Sequence, residues 1–282
     1  MTETEKPATR CGFIALLGAP NAGKSTLMNA MVGTKVSIVT QKVQTTRTRI
    51  LGVTALDETQ LVFVDTPGIF KPRRRLDRAM VAAAWSGASD ADIVTLLIDA
   101  AMRIEGDTRR IIDGLKQNGG RAICVLNKID TVPRESLLKL IDDLQAEELF
   151  TDFFMVSALK GDGVEELKAE LATRLPEGPW HFPEDQLSDM NDRLFAAEIT
   201  REKLFLNLHQ ELPYALTVET ETWEPFDNGA VKVEQVIYVE RGTQKGIVLG
   251  KGGERIKRVR TPAVAGLFGG DTFHQYIKGP RE

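Results

Sequence analysis

The sequence predicts an α/β domain with a mostly parallel sheet and helices on both faces, followed by a smaller α+β domain. Three observations predict it. Short apolar runs recur between residues 13 and 156, and each ends at a turn rich in Gly, Asp, Asn or Ser; buried parallel strands feeding loops at one sheet edge have this pattern. The Pro-rich stretch Pro176-Glu177-Gly178-Pro179-Trp180-His181-Phe182-Pro183 breaks all periodicity. Beyond it, a helical pattern precedes two half-buried strand patterns. The expected organisation is a first domain over 10–176, a linker over 177–190 and a second domain over 191–282.

Phe13-Ile14-Ala15-Leu16-Leu17 is the first buried-strand run, and 25–32 reads as a helix closed by Gly33. Between them, Gly18-Ala19-Pro20-Asn21-Ala22-Gly23-Lys24-Ser25 fits the phosphate-loop pattern G-x-x-x-x-G-K-[ST]. Glycines let backbone N–H groups curl round phosphate oxygens, and the helix N-terminus adds its positive dipole end. Lys24 reaches the β- and γ-phosphates as a point charge, and the Ser25 hydroxyl is an Mg²⁺ ligand.

The polar, aperiodic stretch 41–49 reads as a mobile loop. One of its threonines can complete the Mg²⁺ shell, with Thr46 favoured and Thr45 close behind. Leu61-Val62-Phe63-Val64 is the next strand run and ends at Asp65-Thr66-Pro67-Gly68. A carboxylate at a strand's C-terminal end can hold Mg²⁺ through a water. The Gly68 N–H can meet a γ-phosphate and release its loop on hydrolysis.

Ala122-Ile123-Cys124-Val125-Leu126 leads into Asn127-Lys128-Ile129-Asp130, an N-K-x-D motif. The Asp130 carboxylate can accept from guanine N1–H and the exocyclic amine. Adenine lacks that amine and would leave the carboxylate unpaired. The Lys128 stem can cover one face of the base, and Asn127 can tie this loop to the phosphate loop. Phe153-Phe154-Met155-Val156 leads into Ser157-Ala158-Leu159, where the Ala158 N–H can donate to guanine O6. Four motifs in this order, each after an apolar run, point to GTP binding and hydrolysis. The expected nucleotide-binding set is Gly18, Ala19, Pro20, Asn21, Ala22, Gly23, Lys24, Ser25, Thr26, Thr45, Thr46, Asp65, Gly68, Asn127, Lys128, Asp130, Ser157, Ala158 and Leu159.

Ile69 stands where many GTPases place a water-orienting glutamine. An isoleucine cannot do this, so slow intrinsic hydrolysis is expected, assisted by another residue, a partner or a cation. Phosphate-loop GTPases with Pro-Asn at 20–21 and an apolar residue at this place include potassium-stimulated members. An Asn21 amide oxygen could ligate K⁺ beside the phosphates. The catalytic expectations are Lys24, Thr46, Gly68 and Asn21; the metal ligands are Ser25, Thr46 and Asp65.

Composition bounds the rest. The chain has 282 residues, 42% of them hydrophobic, which suffices for one large or two modest globular domains. It carries two cysteines and three scattered histidines, with no disulfide framework or zinc pattern. Residues 1–10 are polar, not a signal peptide, and no apolar run is long enough for a bilayer span. A cytoplasmic, reduced protein is expected. The net charge of −4 means that a nucleic-acid role needs charge segregation.

After 163–175, an amphipathic helix, the second domain opens on a helical pattern over 192–208. Its apolar stripe reads as Leu194, Phe195, Ala197, Ile199, Leu204 and Leu208. Strand patterns follow over 214–220 and 231–240, with a turn at Asp227-Asn228-Gly229. Gly250-Lys251-Gly252-Gly253 is then a G-x-x-G loop, which in a KH module clamps single-stranded nucleic acid. Arg241, Lys245, Lys251, Arg255, Lys257, Arg258 and Arg260 surround it, a basic flank in an acidic protein. The expected RNA contacts are Gly250, Lys251, Gly252, Gly253, Arg255 and Lys257.

A GTP-binding domain followed by a KH-like domain resembles the Era family of GTPases. The resemblance rests on Pro20-Asn21, Gln44-Thr45-Thr46-Arg47, Asp65-Thr66-Pro67-Gly68, Asn127-Lys128-Ile129-Asp130, Phe182-Pro183-Glu184-Asp185, the 198–204 helix segment, Glu211-Leu212-Pro213-Tyr214 and the 250–253 loop. It covers about residues 10–260. It implies a Ras-like P-loop GTPase followed by a type II KH-like domain, using GTP, GDP and Mg²⁺. It implies binding of the 16S rRNA 3′ end, a role in assembling the 30S subunit from its precursor, and a monomer. In some members it implies peripheral association with the inner membrane. After Arg260 the chain departs from the family: Thr261-Pro262 is expected to interrupt the last helix, Gly269-Gly270 follows, and 272–278 can form a closing strand. Two other readings are a GTPase of tRNA modification or cell-cycle signalling whose C-terminal domain binds protein, and a membrane-surface GTPase using the 192–208 helix. That helix has a mixed polar face, which disfavours the last.

Overall fold

The computed structural model describes residues 8–40, 42, 45–47, 49–72, 75–208, 212–227, 231–265 and 273–278, with the backbone alone for 260–265 and 273–278. Gln41, Val43, Gln44, Thr48, Glu211, the Asn228-Gly229 turn, Gly269-Gly270 and Thr272 lie outside these residues. The chain divides into two compact units, Met1–Asp189 and Met190–Glu282.

The first unit is built on six strands. They are β1 (Arg10–Gly18), β2 (Ile50–Leu56), β3 (Thr59–Asp65), β4 (Ile93–Asp99), β5 (Ala122–Asn127) and β6 (Phe150–Val156). Their order is β2-β3-β1-β4-β5-β6, with only β2 antiparallel to its neighbour. The helices are α1 (Lys24–Val32), α2 (Arg75–Ser89), α3 (Gly106–Gln117), α4 (Arg134–Gln145) and α5 (Val164–Arg174). Strand side chains alternate between two faces. Ile14, Leu16, Leu61 and Phe63 are fully buried, as are Leu27 and Met28 of α1 and Leu167 and Leu171 of α5. On the opposite face, Ala15, Leu17, Leu96, Ile98 and Cys124 pack with Ala84 of α2, Ile111 and Ile112 of α3, and Leu137 and Leu144 of α4.

One corner of that second face has a different cover. Cys11, Leu51, Val53, Val62 and Val64 pack against Trp180 and Phe182. The Pro-rich stretch, expected as a linker, therefore lies along the sheet edge as an apolar strap. Gln60, 1% exposed, fixes it: Oε1 accepts from the backbone N–H groups of His181 (3.0 Å) and Phe182 (3.1 Å), and Nε2 donates to Phe182 O (2.8 Å). Farther along, Val53 N donates to Leu187 O (2.9 Å) and Leu51 N to an Asp189 carboxylate oxygen (2.9 Å). These bonds occupy the outer edge of β2, which a bare edge strand would leave open to pairing with another chain. The stretch has no period because single aromatics seat it.

The second unit contains α6 (Asp192–Asn207), β7 (Leu216–Pro225), β8 (Val231–Val239), α7 (Gly242–Leu249), α8 (Glu254–Ala265) and β9 (Phe273–Lys278). The sheet order is β7-β8-β9; β7 and β8 are antiparallel, and β9 runs parallel to β8. Asn191 caps α6 by accepting from Leu194 N at 2.9 Å. The buried side of α6 carries Ala196, Ala197, Ile199, Thr200, Leu204 and Phe205, whereas Leu194, expected in the stripe, is 50% exposed. The first turn meets β7 through Arg193, whose carbonyl accepts from Thr220 Oγ1 at 2.7 Å, and leaves Leu194 facing out, so the buried stripe starts later than hydropathy alone suggests. Leu204, Leu208, Leu216, Val218, Ile237, Val239, Val248 and Val259 form the core. A second correction concerns α8, which runs through Thr261-Pro262 to Ala265 and is not interrupted there. Proline removes one N–H, but its fixed φ is helical, so the chain can continue this close to the helix end.

Candidate functional sites

The motifs of the first unit meet because parallel strands deliver them to one edge. Gly18 ends β1, Asp65 ends β3 and Asn127 ends β5, with Leu16 opposite Asp65, Asp99 opposite Asn127, and Asn127 opposite Val156. Ligands of such sheets bind outside the strands' C-terminal ends, where connections leave in opposite directions.

The phosphate loop turns through two left-handed residues, Asn21 (φ 63°) and Gly23 (φ 100°). A Cβ on Gly23 would lie 2.2 Å from Asn127 Nδ2, so only glycine fits there. Lys24 opens α1 and is buried, its Nζ donating to Gly18 O and Ala19 O, each at 3.2 Å. Burial brings its ammonium down to about 8, against the opposing pull of Asp65.

Asp65 is fully buried, and one of its oxygens gathers three hydroxyls. Oδ2 accepts from Ser25 Oγ (2.6 Å), Ser37 Oγ (3.0 Å) and Thr46 Oγ1 (3.2 Å); Ser25 and Thr46 are 3.1 Å apart. Oδ1 has no hydrogen-bond partner. Burial pushes this carboxyl up, while Lys24 and the hydroxyls hold it down. A buried carboxylate oxygen without a donor is costly, and a hard cation would satisfy it. One carboxylate and two hydroxyls, all oxygen, fit Mg²⁺ shared with phosphate oxygens. Thr45 turns elsewhere, with Oγ1 bonded to Thr40 Oγ1 (2.7 Å) and Lys42 O (2.8 Å). Of the two threonines, Thr46 is the one brought to the cluster.

The Asp65-Thr66-Pro67-Gly68 segment lies against the phosphate loop. A Cβ on Gly68 would meet Pro20 N at 2.9 Å, and Ile69 N donates to Gly18 O at 3.1 Å. The Ile69 side chain is fully buried among Ala15, Leu17 and Ala84. It is core, and its buried side chain offers no polar group to orient a water.

The base loop is tied to the phosphate loop by two side chains. Asn127 Nδ2 donates to Ala22 O (2.9 Å), and Lys128 Nζ donates to Asn21 O (2.7 Å). Ser157 Oγ donates to Asp130 Oδ1 (2.7 Å), and Lys160 pairs with Oδ2 at 3.4 Å. The Ser157 hydroxyl is the main cause holding the Asp130 carboxyl below its ordinary range. The Ala158 N–H donates to Asn127 Oδ1 at 3.0 Å. A guanine O6 would therefore share that donor with Asn127, not find it unused. Leu159 is 83% exposed beside it.

Two residues of this site escape the motifs. Ser37 lies in an irregular segment with no pattern of its own, held by Asn29, whose Oδ1 accepts from Val36 N and Ser37 N, each at 2.9 Å. Asp99 pairs with Lys128 at 2.6 Å. Its signal is present in the sequence: it ends the apolar run 93–98, as Asp65 ends its own.

In the second unit the G-x-x-G loop joins α7 to α8. Gly250, Gly252 and Gly253 all have positive φ (72°, 60° and 77°), and Gly253 N donates to Gly250 O at 3.1 Å. A Cβ on Gly250 would meet the Arg255 Cβ at 2.8 Å. Lys251 and Lys257 are exposed. Arg255 is half-buried and donates to Ile247 O at 2.5 Å, so it also fastens α7 to α8. Arg258 pairs with Glu254; the Arg260 side chain lies outside the description.

Residues 13–128 match the family model described as a 50S ribosome-binding GTPase, and 211–267 match the KH domain model. GTPase Era of Sinorhizobium medicae is 60% identical over 255 residues, covering 90% of this chain and 82% of that protein. GTPase Era of Dinoroseobacter shibae is 56% identical over 283 residues, covering 99% and 92%. A crystal structure of Era in complex with MgGDPNP and nucleotides 1506–1542 of 16S ribosomal RNA has a TM-score of 0.90 at 35% identity, covering 97% of this chain and 95% of that one. A single-substitution variant of Aquifex aeolicus Era bound to GDP·AlF4⁻ has the same TM-score, identity and coverage.

Proposed function

This chain belongs to the Era family of GTPases, and from that premise we propose that it is a GTP-controlled switch that binds the 3′ end of 16S rRNA and assists assembly of the 30S subunit. The observation that carries the reading is the Asp65 cluster. Ser25, Thr46 and Asp65 come from three separate segments and converge within 3.2 Å, leaving one buried carboxylate oxygen unmatched. Ser25, Thr46 and Asp65 would hold Mg²⁺, which would supply neutralising charge to the phosphate oxygens. Lys24 adds its ammonium to those oxygens, the N–H groups of residues 18–26 cradle them, and the Gly68 N–H meets the γ-phosphate. Asn127, Lys128, Asp130 and Ala158 read guanine. Thr46, through the metal shell, and the Gly68 N–H both depend on the γ-phosphate end, so hydrolysis frees both loops.

Because Ile69 is core, intrinsic hydrolysis is slow. The Asn21 amide oxygen would be the ligand for K⁺, which would supply charge compensation at the phosphates. Equal hydrolysis rates in KCl and NaCl would remove K⁺ from this account. RNA binds across Gly250–Gly253, with Lys251, Arg255 and Lys257 beside it; the similarity to an Era bound to 16S rRNA nucleotides supports this. The protein acts as a cytoplasmic monomer. Any inner-membrane contact is peripheral, in keeping with the fact that no helix among the described residues is long and apolar enough to cross a membrane.

The test measures binding of an RNA copying the 16S rRNA 3′ end with a GTP analogue or GDP, and GTP hydrolysis in KCl with and without that RNA. Tighter binding in the triphosphate state with faster hydrolysis on RNA addition is expected, and linkage then requires RNA to tighten GTP by the same factor. RNA affinity that is unchanged by Lys251→Asp and Gly252→Asp would refute the RNA site and favour a protein-binding C-terminal domain.

A further inference from the structure

Four non-glycine residues among those described have positive φ, and two of them are Asn21 (63°) and Lys128 (64°). They are bonded to each other: Lys128 Nζ donates to Asn21 O at 2.7 Å. Left-handed backbone at a non-glycine residue is held by its surroundings, and it clusters at functional sites. Asp99 fixes the ammonium of this pair. Its Oδ2 accepts from the same Lys128 Nζ at 2.6 Å, and its Oδ1 accepts from Ala101 N at 3.0 Å. The carboxylate is thus fixed by its own turn and fixes the ammonium in turn. Its side chain is 18% exposed, against 36% for Lys128, so the pair is partly shielded from water.

We infer that Asp99 is a positioning residue for GTP hydrolysis. It aims the Lys128 ammonium at the Asn21 carbonyl and so sets the phosphate-loop turn that presents Asn21 to the phosphates. This rests on the role given above to Asn21. The register makes the arrangement economical, since Asp99 and Asn127 are direct partners across β4 and β5. Asn127 grips Ala22 O while Lys128 grips Asn21 O, so two successive phosphate-loop carbonyls are held from one strand end. Only the second grip depends on Asp99. Removing Asp99 leaves the Asn127 bond and the Asp130 carboxylate in place, so guanine should still be recognised while the turn at Asn21 loosens.

The experiment compares Asp99→Ala, Asp99→Asn, Lys128→Ala and the Asp99→Ala/Lys128→Ala double variant by steady-state GTP hydrolysis in KCl and in NaCl. Fluorescent GDP binding and thermal melting run alongside. Asp99→Ala is expected to lower kcat about tenfold, the loss of one transition-state positioning contact, and to lower GDP affinity by less, because Lys128 loses its aim while Asn127 and Asp130 keep their bonds. Any K⁺-over-Na⁺ preference of the native protein should shrink with it. Asp99→Asn keeps an acceptor for the ammonium and should recover most of kcat. The double variant should be no slower than Lys128→Ala alone, because both changes break one path. An unchanged kcat in Asp99→Ala, or strictly additive losses, would overturn the inference. A native protein without K⁺ preference would count against the Asn21 ion while leaving the kcat and coupling results to decide the role of Asp99. If Asp99→Ala melts before assay, Lys128→Ala decides: wild-type kcat in that variant would overturn the inference, because the path from Asp99 to Asn21 runs through its ammonium.

Discussion

Replacing Gly23 by alanine tests whether the phosphate loop and the base loop are one mechanical unit. The added Cβ would sit 2.2 Å from Asn127 Nδ2, in a backbone conformation with φ near 100°. Left-handed backbone costs an L-residue about 1–2 kcal/mol. Moving Asn127 aside breaks its bonds to Ala22 O (2.9 Å) and from Ala158 N (3.0 Å), both buried. At about 1 kcal/mol net for each bond, the whole change costs about 3–4 kcal/mol. If the loop stays in place, the cost appears as stability, about 6–16 °C in Tm for a unit of this size. If the loop yields, part of it appears as nucleotide affinity, where each 1.4 kcal/mol is about tenfold. The assay is therefore paired: thermal melting and fluorescent GDP titration on one preparation. Gly33→Ala is the control, because Gly33 also has positive φ (81°) but a Cβ there meets nothing within 4 Å. It should show the backbone cost alone, with GDP affinity unchanged. The two loops are not coupled in this way if Gly23→Ala melts no lower than Gly33→Ala and binds GDP within about threefold of the native protein.

Gln60→Ala should release the strap: its side chain holds both backbone groups of Phe182 and the N–H of His181. A loss of about 2–3 kcal/mol follows from the unmatched buried groups, or about 4–12 °C in Tm. Hydrogen exchange should speed up at the 181 and 182 amides but not in α1, and slow exchange at both in the variant would refute the anchoring role. Ser157→Ala should alter the pH dependence of GDP binding. Asp130 is held ionised below the ordinary carboxylate range chiefly by the Ser157 hydroxyl, so its acceptor function is present above that lowered pKa and is lost only as pH falls through it. Without Ser157 the fall-off should move to higher pH; an identical profile in a GDP titration from neutral to acid pH would show that Asp130 owes its state to something else.

Much of the nucleotide site is legible in the sequence because its motifs are short and terminate apolar runs. A parallel sheet turns that linear habit into a meeting place, since every strand delivers its last residue to one edge. The sequence favours Thr46 over Thr45, and only the fold shows why: Thr45 is taken by Thr40 and Lys42. The omissions have a common physical origin. β2 and β4, with α2, α3 and α4, carry no motif and are needed as cover and spacing. Ser37 acts through Asn29 and Asp99 acts through Lys128, so their roles exist only as contacts between distant segments.

The strap and the two corrected helices show the limit from the other side. Periodicity identifies a segment that buries a regular stripe, and it is silent on one that buries two aromatics and trades backbone bonds with a glutamine. Gln60 lies within β3, where alternation assigns it simply to a face, yet it supplies most of the bonds that hold the 181–182 segment. Leu194 is misassigned by spacing for the converse reason: it has the right period, but the first turn meets β7 through polar bonds at Arg193 and leaves Leu194 exposed. Pro262 reads as a stop although a helix near its end loses only one donor to proline. In each case the local signal is real, and the partner it meets in space decides what the residue does.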